Sequence, residues 1–374
     1  MCTWKAFSIK LLWWFPLLTL IVFVNCWVDP AHLLSGERYE RGIADLLLQG
    51  HNVAYISPNY NDRLVQKFYI EGLSKPKDIV VLGSSRSMQI NPRWFSKGSF
   101  FNHSVVAGSL DDYMAIYQLY RQKHWHPSVV IFCLDSWNFY GNSHHGSPLT
   151  VALIKNYDTI AATLGIPSNP MISQWKVIKS RVERYAEIVS PNYFQESLMT
   201  LREEAMQGNS RHYFATSKTE DRYPVKLHDG RQTFGEIELT RHGSVSAVRS
   251  FAGNAAHLYR GYAKRIDSQD QRKFEALVRL MRNEGVKMIL FLPPFHPEVY
   301  HVLSRTRDLE AHDRVESYLR NFASRERLLL IGSYNAATCG FDEADFYDDI
   351  HARAWALRRL FADKKVSLYL NHAL

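Results

Sequence analysis

The sequence lacks the residue patterns that mark metal-binding, redox and nucleic-acid-binding proteins. Its 374 residues include four cysteines and no Cys-x-x-Cys pair, which excludes the common zinc and thiol-redox motifs. It has no arginine-rich block and no nucleic-acid-binding module, so we expect no nucleic-acid partner. The neighbouring His144 and His145 have no carboxylate or cysteine at ligand spacing, and we therefore predict neither a metal nor another cofactor.

The few cysteines leave at most one disulfide in the body of the chain. Cys2 and Cys26 lie near the N-terminus, and only Cys133 and Cys339 remain beyond it. An oxidising compartment would permit a disulfide between these two residues. The position of Cys133 inside a predicted strand favours the other interpretation, a small core residue.

Charged residues are absent from the segment between Leu11 and Val28, which is almost entirely apolar. Such a segment is long enough to span the core of a bilayer. Lys5 and Lys10 precede it, tryptophans lie near both of its ends, and no small-residue cleavage site follows it. We therefore predict a retained signal anchor over residues 1–28, a transmembrane helix with the rest of the chain outside the cytoplasm. The alternative is a buried helix of a soluble protein.

Positive charge exceeds negative charge, with a formal net charge of +8. The basic residues are dispersed along the chain and form no block. On a membrane-tethered domain this excess indicates either a preference for anionic surfaces or acidic glycans, or an ordinary solvated surface of mixed charge.

The rest of the chain alternates between strand-like and helix-like patterns. Short apolar runs rich in β-branched residues predict buried strands at residues 78–83, 100–106, 128–134, 286–292 and 328–332. Helical patterns occupy residues 111–123, 275–284 and 352–364. This alternation predicts an α/β fold with a parallel sheet that is covered by helices on both faces.

We divide the chain after the anchor into two parts. Residues 29–75 are predicted to form a stalk and a lead-in segment, and residues 76–374 the main domain. The regular alternation fails between about residues 139 and 257, a stretch that is too long for one crossover between strands. We predict a large, partly helical insertion there.

Polar residues with catalytic chemistry follow the first and last predicted strands. In open parallel sheets, ligands bind at the carboxyl ends of the strands. Gly83-Ser84-Ser85 ends the first strand, and Asp348-Asp349-Ile350-His351 follows the last. A serine hydroxyl becomes a strong nucleophile when an imidazole takes its proton, and a carboxylate on the other ring nitrogen orients that imidazole. Either block alone is more often a polar turn, but the two together predict a Ser-His-Asp triad.

These blocks resemble those of the SGNH hydrolase and acyltransferase family. The family has G-D-S after its first strand and D-x-x-H after its last, and the Gly-Ser-Ser form is similar to a membrane-anchored branch that includes the teichoic-acid D-alanylation protein and alginate O-acetylation proteins. The resemblance implies a three-layer α/β/α, flavodoxin-like sheet. It also implies that Ser85 is the nucleophile, His351 the base and Asp348 the residue that orients it.

The resemblance further implies an oxyanion hole, built from the Ser85 N–H, a glycine after the second strand and an asparagine after the third. Gly108 matches the glycine, but the family's G-x-N-D block is absent. Asn138 lies one or two residues late, so either its side chain or a backbone N–H near Ser136 supplies the third donor. Arg86 is a candidate for binding an anionic group of the substrate, with a structural ion pair as the alternative.

Three functions follow as expectations from the resemblance. The first is transfer of an acyl group, most plausibly acetyl, to a cell-envelope glycan by an enzyme anchored in the inner membrane and facing the periplasm, beside a multi-spanning membrane-bound O-acyltransferase. The second is an esterase that uses the same triad with water as acceptor. The third, of another class, is a catalytically weak glycan-binding or scaffolding module, which the altered third block permits.

Overall fold

The computed structural model describes residues 3–374 except positions 31, 35, 58–59, 142–150, 169, 208–212 and 261–264, with side chains of the first helix described from Phe15 onward. His144 and His145 therefore lie outside the described residues. The strands are β1 (Asn52–Ala54), β2 (Ile79–Leu82), β3 (Phe100–Asn102), β4 (Val129–Cys133), β5 (Phe214–Thr216), β6 (Lys287–Leu292) and β7 (Leu329–Gly332). The helices are α1 (Thr3–Val28), α2 (Arg38–Leu48), α3 (Asp62–Gly72), α4 (Leu110–Gln122), α5 (Ile154–Thr163), α6 (Pro170–Ala186), α7 (Pro191–Gln207), α8 (Glu236–Thr240), α9 (Val245–Ala255), α10 (Ser268–Asn283), α11 (Pro297–Ser304), α12 (Leu309–Glu326), α13 (Ala354–Phe361) and α14 (Lys364–Asn371).

A parallel five-stranded sheet lies at the centre of the fold, with the strand order β3-β2-β4-β6-β7. Each strand falls within one of the five predicted apolar runs, so the mixed α/β fold and its parallel sheet are confirmed. Alternate side chains of a strand point to opposite faces. Val80 of β2 packs in one core with α4, α10 and α12, whereas Val81 packs in a second core with α13 and α14. The sheet is therefore buried on both faces, which explains its unbroken apolar strands.

The helix boundaries follow the caps that the sequence provides. Ser109 and Asp112 form a capping box at the start of α4, one residue before the predicted start. Helix α10 starts earlier than predicted, because the side chain of Asp267 accepts hydrogen bonds from the amides of Gln269 and Asp270. The predicted helix over 352–364 is replaced by α13 and α14, since Asp363 caps a new helix at that point.

Residues 29–75, predicted as a stalk and lead-in segment, are folded onto the domain. Helices α2 and α3 share a core with Phe101 of the central sheet. Strand β1 pairs antiparallel with β5, which lies in the predicted insertion. A second, two-stranded sheet therefore joins the segment that precedes the main domain to the insertion.

The N-terminal segment is helical, as predicted, but its predicted role has no structural support. Among the residues that the structure describes, no helix is both long enough and apolar enough to cross a membrane. The transmembrane helix over residues 1–28 is therefore not supported. The end of α1 is held by Asn25, which is fully buried and donates to the backbone oxygens of Ile188 and Ser190 at 2.8 and 3.3 Å.

A buried ion pair joins α3 to the start of α4. The guanidinium of Arg63, 1% exposed, donates to both carboxylate oxygens of Asp112 at 2.9 and 3.1 Å and to Asp62 at 2.9 Å. Asp112 also accepts from the N–H and hydroxyl of Ser109. Because Ser109 directly follows Gly108, this cluster fixes one of the loops at the carboxyl edge of the sheet.

We expect Asp112→Ala to lower the free energy of unfolding by about 3–5 kcal/mol, because it leaves the buried Arg63 charge without its main partner. Chemical denaturation of the two proteins measures the difference. Glu310→Ala is the matched control, since Glu310 pairs with Arg314 on the exposed surface of α12. That change should cost about 0–1 kcal/mol. Equal effects of the two substitutions would contradict the role given to the buried pair.

Candidate active site

Ser85 lies at the carboxyl end of β2, at the start of a short 3-10 turn over Ser85–Ser87. The turn is tight because Gly83 has no side chain. A Cβ at Gly83 would collide with the Ser87 hydroxyl and lie 2.6 Å from Cβ of Cys133 on the neighbouring strand. Ser84 caps the turn from inside the protein, and Ser85 is left half-buried with its hydroxyl at the edge of the sheet.

Ser85, His351 and Asp348 form a continuous chain of hydrogen bonds. Oγ of Ser85 lies 2.8 Å from Nε2 of His351, and Nδ1 of His351 lies 2.7 Å from Oδ2 of Asp348. Since a carboxylate can only accept, the proton of the neutral imidazole is assigned to Nδ1, which leaves Nε2 free to accept from the serine hydroxyl. The structure thus brings the three predicted triad residues together in the geometry of an activated nucleophile.

The side chain of Asp348 stabilises the loop that leads to His351 as well as contacting the imidazole. Oδ1 of Asp348 accepts from the backbone N–H groups of Ile350 and His351 at 2.9 and 2.7 Å. Burial favours the neutral carboxyl, but the interaction with His351 and the two backbone bonds outweigh it, so the pKa of Asp348 is lowered from its usual value. Asp348 is therefore held as a carboxylate that faces the imidazole.

Arg86 is buried below the site and connects four segments of the chain. Its guanidinium is 3% exposed and donates to Asp135 at 2.9 Å, to the Pro293 carbonyl at 2.7 Å and to the Ile350 carbonyl at 3.2 Å. It also lies 4.6 Å from the ring centroid of Phe295. An anionic substrate group would have to displace these partners. The geometry thus corresponds to the structural ion pair that the sequence left as the alternative.

The predicted oxyanion donors lie at the same edge of the sheet, but they are not equally available. Within the described residues, the Ser85 N–H donates no hydrogen bond. The Gly108 N–H donates to the Val105 carbonyl at 3.2 Å, within a turn. Asn138 is buried, and its amide nitrogen donates to the Gly108 carbonyl at 3.2 Å. Of these three donors, the Ser85 N–H alone is free to bind an oxyanion without rearrangement, and within the described residues the Ser136 N–H, the alternative third donor, also donates no hydrogen bond.

No family model matches the chain, and no curated protein matches it. The resemblance to the SGNH family therefore rests on the two sequence blocks.

His296, which follows β6, and the two cysteines beyond the N-terminal region are not part of the triad. His296 is buried, and its Nδ1 accepts from the Glu298 N–H at 3.0 Å as the cap of α11. Cys133 and Cys339 carry free thiols, the first of them buried in the sheet. In the part of the chain that the structure describes, no three His, Cys, Asp or Glu side chains are arranged to hold a metal ion.

Two aromatic residues beside the triad were not predicted. The ring of Phe234, from the region of the predicted insertion, lies 5.3 Å from the His351 ring and 4.7 Å from the Tyr347 ring. Phe234 has no motif that could reveal this position, because only the folding of the insertion brings it to His351. Tyr347, in contrast, directly precedes Asp348, so its proximity could have been inferred from the motif.

We expect Arg86→Met to lower the free energy of unfolding by about 3–5 kcal/mol, because Asp135 is fully buried and loses its partner. Urea denaturation measures this cost. If Arg86 instead bound a substrate anion, the substitution would raise KM and leave the stability nearly unchanged. That result would restore the role first predicted for it.

The stability of the fold should fall on acidification. Burial lowers the pKa of His296 and of His312 to about 4 from the usual 6.5. Between about pH 6.5 and 4 the unfolded chain binds protons that the folded chain does not. The free energy of unfolding should therefore decrease as the pH decreases through this window, by at most about 1.4 kcal/mol per pH unit for each imidazole.

Urea denaturation at neutral and mildly acidic pH tests this dependence. His312→Gln should make it shallower, whereas His372→Gln, at an exposed position, should not. Equal pH dependence in wild type and His312→Gln would show that His312 does not contribute.

Proposed function

We propose that the chain is a serine acyltransferase of the SGNH type, which transfers an acetyl group to a cell-envelope glycan outside the cytoplasm. The observation that carries this proposal is the hydrogen-bonded chain from Ser85 through His351 to Asp348, at 2.8 and 2.7 Å. Chains of this kind activate serine for attack on acyl groups.

Each residue has a defined part in the proposed reaction. Oγ of Ser85 attacks the carbonyl carbon of the acyl donor while Nε2 of His351 takes the hydroxyl proton. The oxyanion that forms is bound by the Ser85 N–H, and the donor leaves with the proton that His351 returns. A hydroxyl of the acceptor then gives its proton to His351 and attacks the acyl-serine, and His351 returns that proton to Oγ as Ser85 leaves. Asp348 stabilises the imidazolium in both halves.

The strand order supports the family assignment that the motifs suggest. Counted along the central sheet alone, β3-β2-β4-β6-β7 is the order 2-1-3-4-5 of flavodoxin-like sheets. In such sheets the ligand binds where the order reverses, between the first and third strands. Ser85 follows the first of these strands and Asp135 follows the third, so the proposed nucleophile lies at the expected position.

A row of flat side chains beside the triad supports a large acceptor. The Arg353 guanidinium lies 4.4 Å from the Tyr347 ring and 5.1 Å from the ring of Trp355, which is 55% exposed. Phe234 continues the row to His351. Aromatic side chains that end at an exposed tryptophan offer apolar faces for a sugar chain. An esterase that removes acyl groups from such a glycan would use the same faces to bind its substrate.

One observation favours the third function, a weakly catalytic binding module. The Gly108 N–H and the Asn138 amide are both engaged within the protein. Loss of one oxyanion donor typically costs on the order of 10²–10³ in turnover. The same row of side chains would then bind a glycan without modifying it.

The membrane setting is part of the proposal. The uncharged segment between Leu11 and Val28 is its sequence basis, and a multi-spanning O-acyltransferase that brings the acyl group across the bilayer is the proposed partner. Recovery of the chain from membranes only with detergent is the expected result, whereas protection of its C-terminus from protease added to intact spheroplasts would contradict the proposed topology. Accessibility of the C-terminus to periplasmic protease is the result that supports this one.

The triad is tested with the full-length chain, by labelling with a serine-directed fluorophosphonate and by hydrolysis of an activated acetyl ester. We expect Ser85→Ala to abolish labelling, and His351→Ala to lower turnover by on the order of 10³-fold or more. Asp348→Asn should also lower turnover strongly, because an amide no longer fixes the imidazole tautomer. Ser367→Ala, at an exposed serine of α14, is the matched control and should change neither readout.

The outcomes separate the three functions. Turnover that increases with an added acetyl-accepting glycan supports transfer, whereas turnover that is unaffected by the glycan supports the esterase. A folded wild-type chain that is neither labelled nor active, but binds the glycan, would leave the binding module as the function.

A further inference from the structure

Helix α6, Pro170–Ala186, exposes an apolar stripe along its length. Trp175, Ile178, Val182 and Tyr185 follow one another at helical spacing, and all four lie within about 80° on the helix surface. Their exposed fractions are 64, 53, 63 and 55%. Large contiguous apolar surfaces of this kind usually mark an interaction site.

Basic residues flank this apolar stripe. Lys179 and Arg181 lie on its two sides, and the helix sequence contains four basic residues and one acidic residue. A tryptophan and a tyrosine in the stripe have the amphipathic rings found at membrane–water interfaces. An apolar stripe with aromatic residues, bordered by cations, is typical of helices that lie in the headgroup region of an anionic bilayer.

The opposite side of α6 is attached to the protein. The Ser173 hydroxyl, on that side, donates to Asp158 of α5 at 3.1 Å. The helix is therefore held by one face, and the apolar stripe points away from the body of the domain. This separates α6 from helices such as α4 and α10, whose apolar faces pack against the central sheet.

The end of α6 is also fixed next to the apolar N-terminal helix. Asn25 of α1 is fully buried and donates to the Ile188 carbonyl, in the turn that follows α6, at 2.8 Å. Along α1, Phe15, Leu18 and Phe23 are 65, 48 and 64% exposed. The turn that follows α6 is therefore held against α1 by a buried hydrogen bond, and both helices expose apolar side chains.

We propose that α6 is an interfacial membrane-binding helix, which lies in the surface of an anionic bilayer with the apolar stripe in the acyl-chain boundary. This inference does not depend on the triad, because none of its residues contacts the site. It also does not require that any helix cross the bilayer. A second copy of the chain or another protein on the stripe is the competing occupant.

The test uses the full-length chain in vesicles of phosphatidylcholine and phosphatidylglycerol whose acyl chains carry bromine as a fluorescence quencher. Cys2, Cys26 and Cys339 are replaced by serine, and the buried Cys133 is kept. An environment-sensitive fluorophore is attached at Ile178→Cys in the stripe, or at Ser180→Cys on the other side of the helix as the matched control. Both proteins contain the same α1, so its effect on vesicle binding cancels in the comparison.

We expect the fluorophore at position 178 to shift to the blue and to lose most of its emission in brominated vesicles, and that at position 180 to change little. Val182→Cys, one turn further on, should behave as position 178 does, and circular dichroism checks that each variant is folded. Absence of quenching at positions 178 and 182, or equal quenching at position 180, would overturn the proposal. Cross-linking of position 178 between two chains without lipid quenching would assign the stripe to a second copy.

Discussion

The arrangement of the site depends on the buried ion pair between Arg86 and Asp135. The guanidinium reaches from the turn after β2 to the end of β4, to the Pro293 carbonyl after β6 and to the Ile350 carbonyl beside His351. One side chain thereby fixes the loop that holds the imidazole relative to the turn that holds the serine. Breaking a buried ion pair lowers the free energy of unfolding far more than breaking an exposed one, because the remaining charge stays out of water. Because this pair is buried, the distance between Ser85 and His351 depends on all the loops that Arg86 connects at this edge of the sheet.

Much of the central sheet could be predicted because its signal is local. Strands such as Val129–Cys133 are buried on both faces, so they appear in the sequence as unbroken apolar runs. The triad could also be predicted from chain order, since residues after the strands of a parallel sheet meet at one edge. Asp348 and His351 are close in sequence, and their loop forms through backbone bonds between neighbours.

The remaining features depend on contacts between distant segments. Strand β1 has only three residues and pairs with β5 in the predicted insertion, so neither strand has a pattern of its own. Phe234 reaches His351 only because the insertion folds over the sheet edge. The role of Arg86 followed from its burial, since the sequence alone gave equal grounds for an ion pair and for a substrate contact. The hydrogen bond from the Asn138 amide to the Gly108 carbonyl likewise depends on how the loops after β3 and β4 approach each other.

The separation of Ser85 and His351, the proposed catalytic partners, along the chain has a consequence for biogenesis. Ser85 and His351 are 266 positions apart, and the ribosome adds about 5–20 residues per second. Ser85 is therefore made on the order of tens of seconds before the imidazole that contacts it. The hydroxyl has no base beside it until β7 has joined the sheet and the final loop has closed. The Ser85–His351 hydrogen bond, and with it the proposed reactivity of the serine, therefore arises only once the chain is complete and folded.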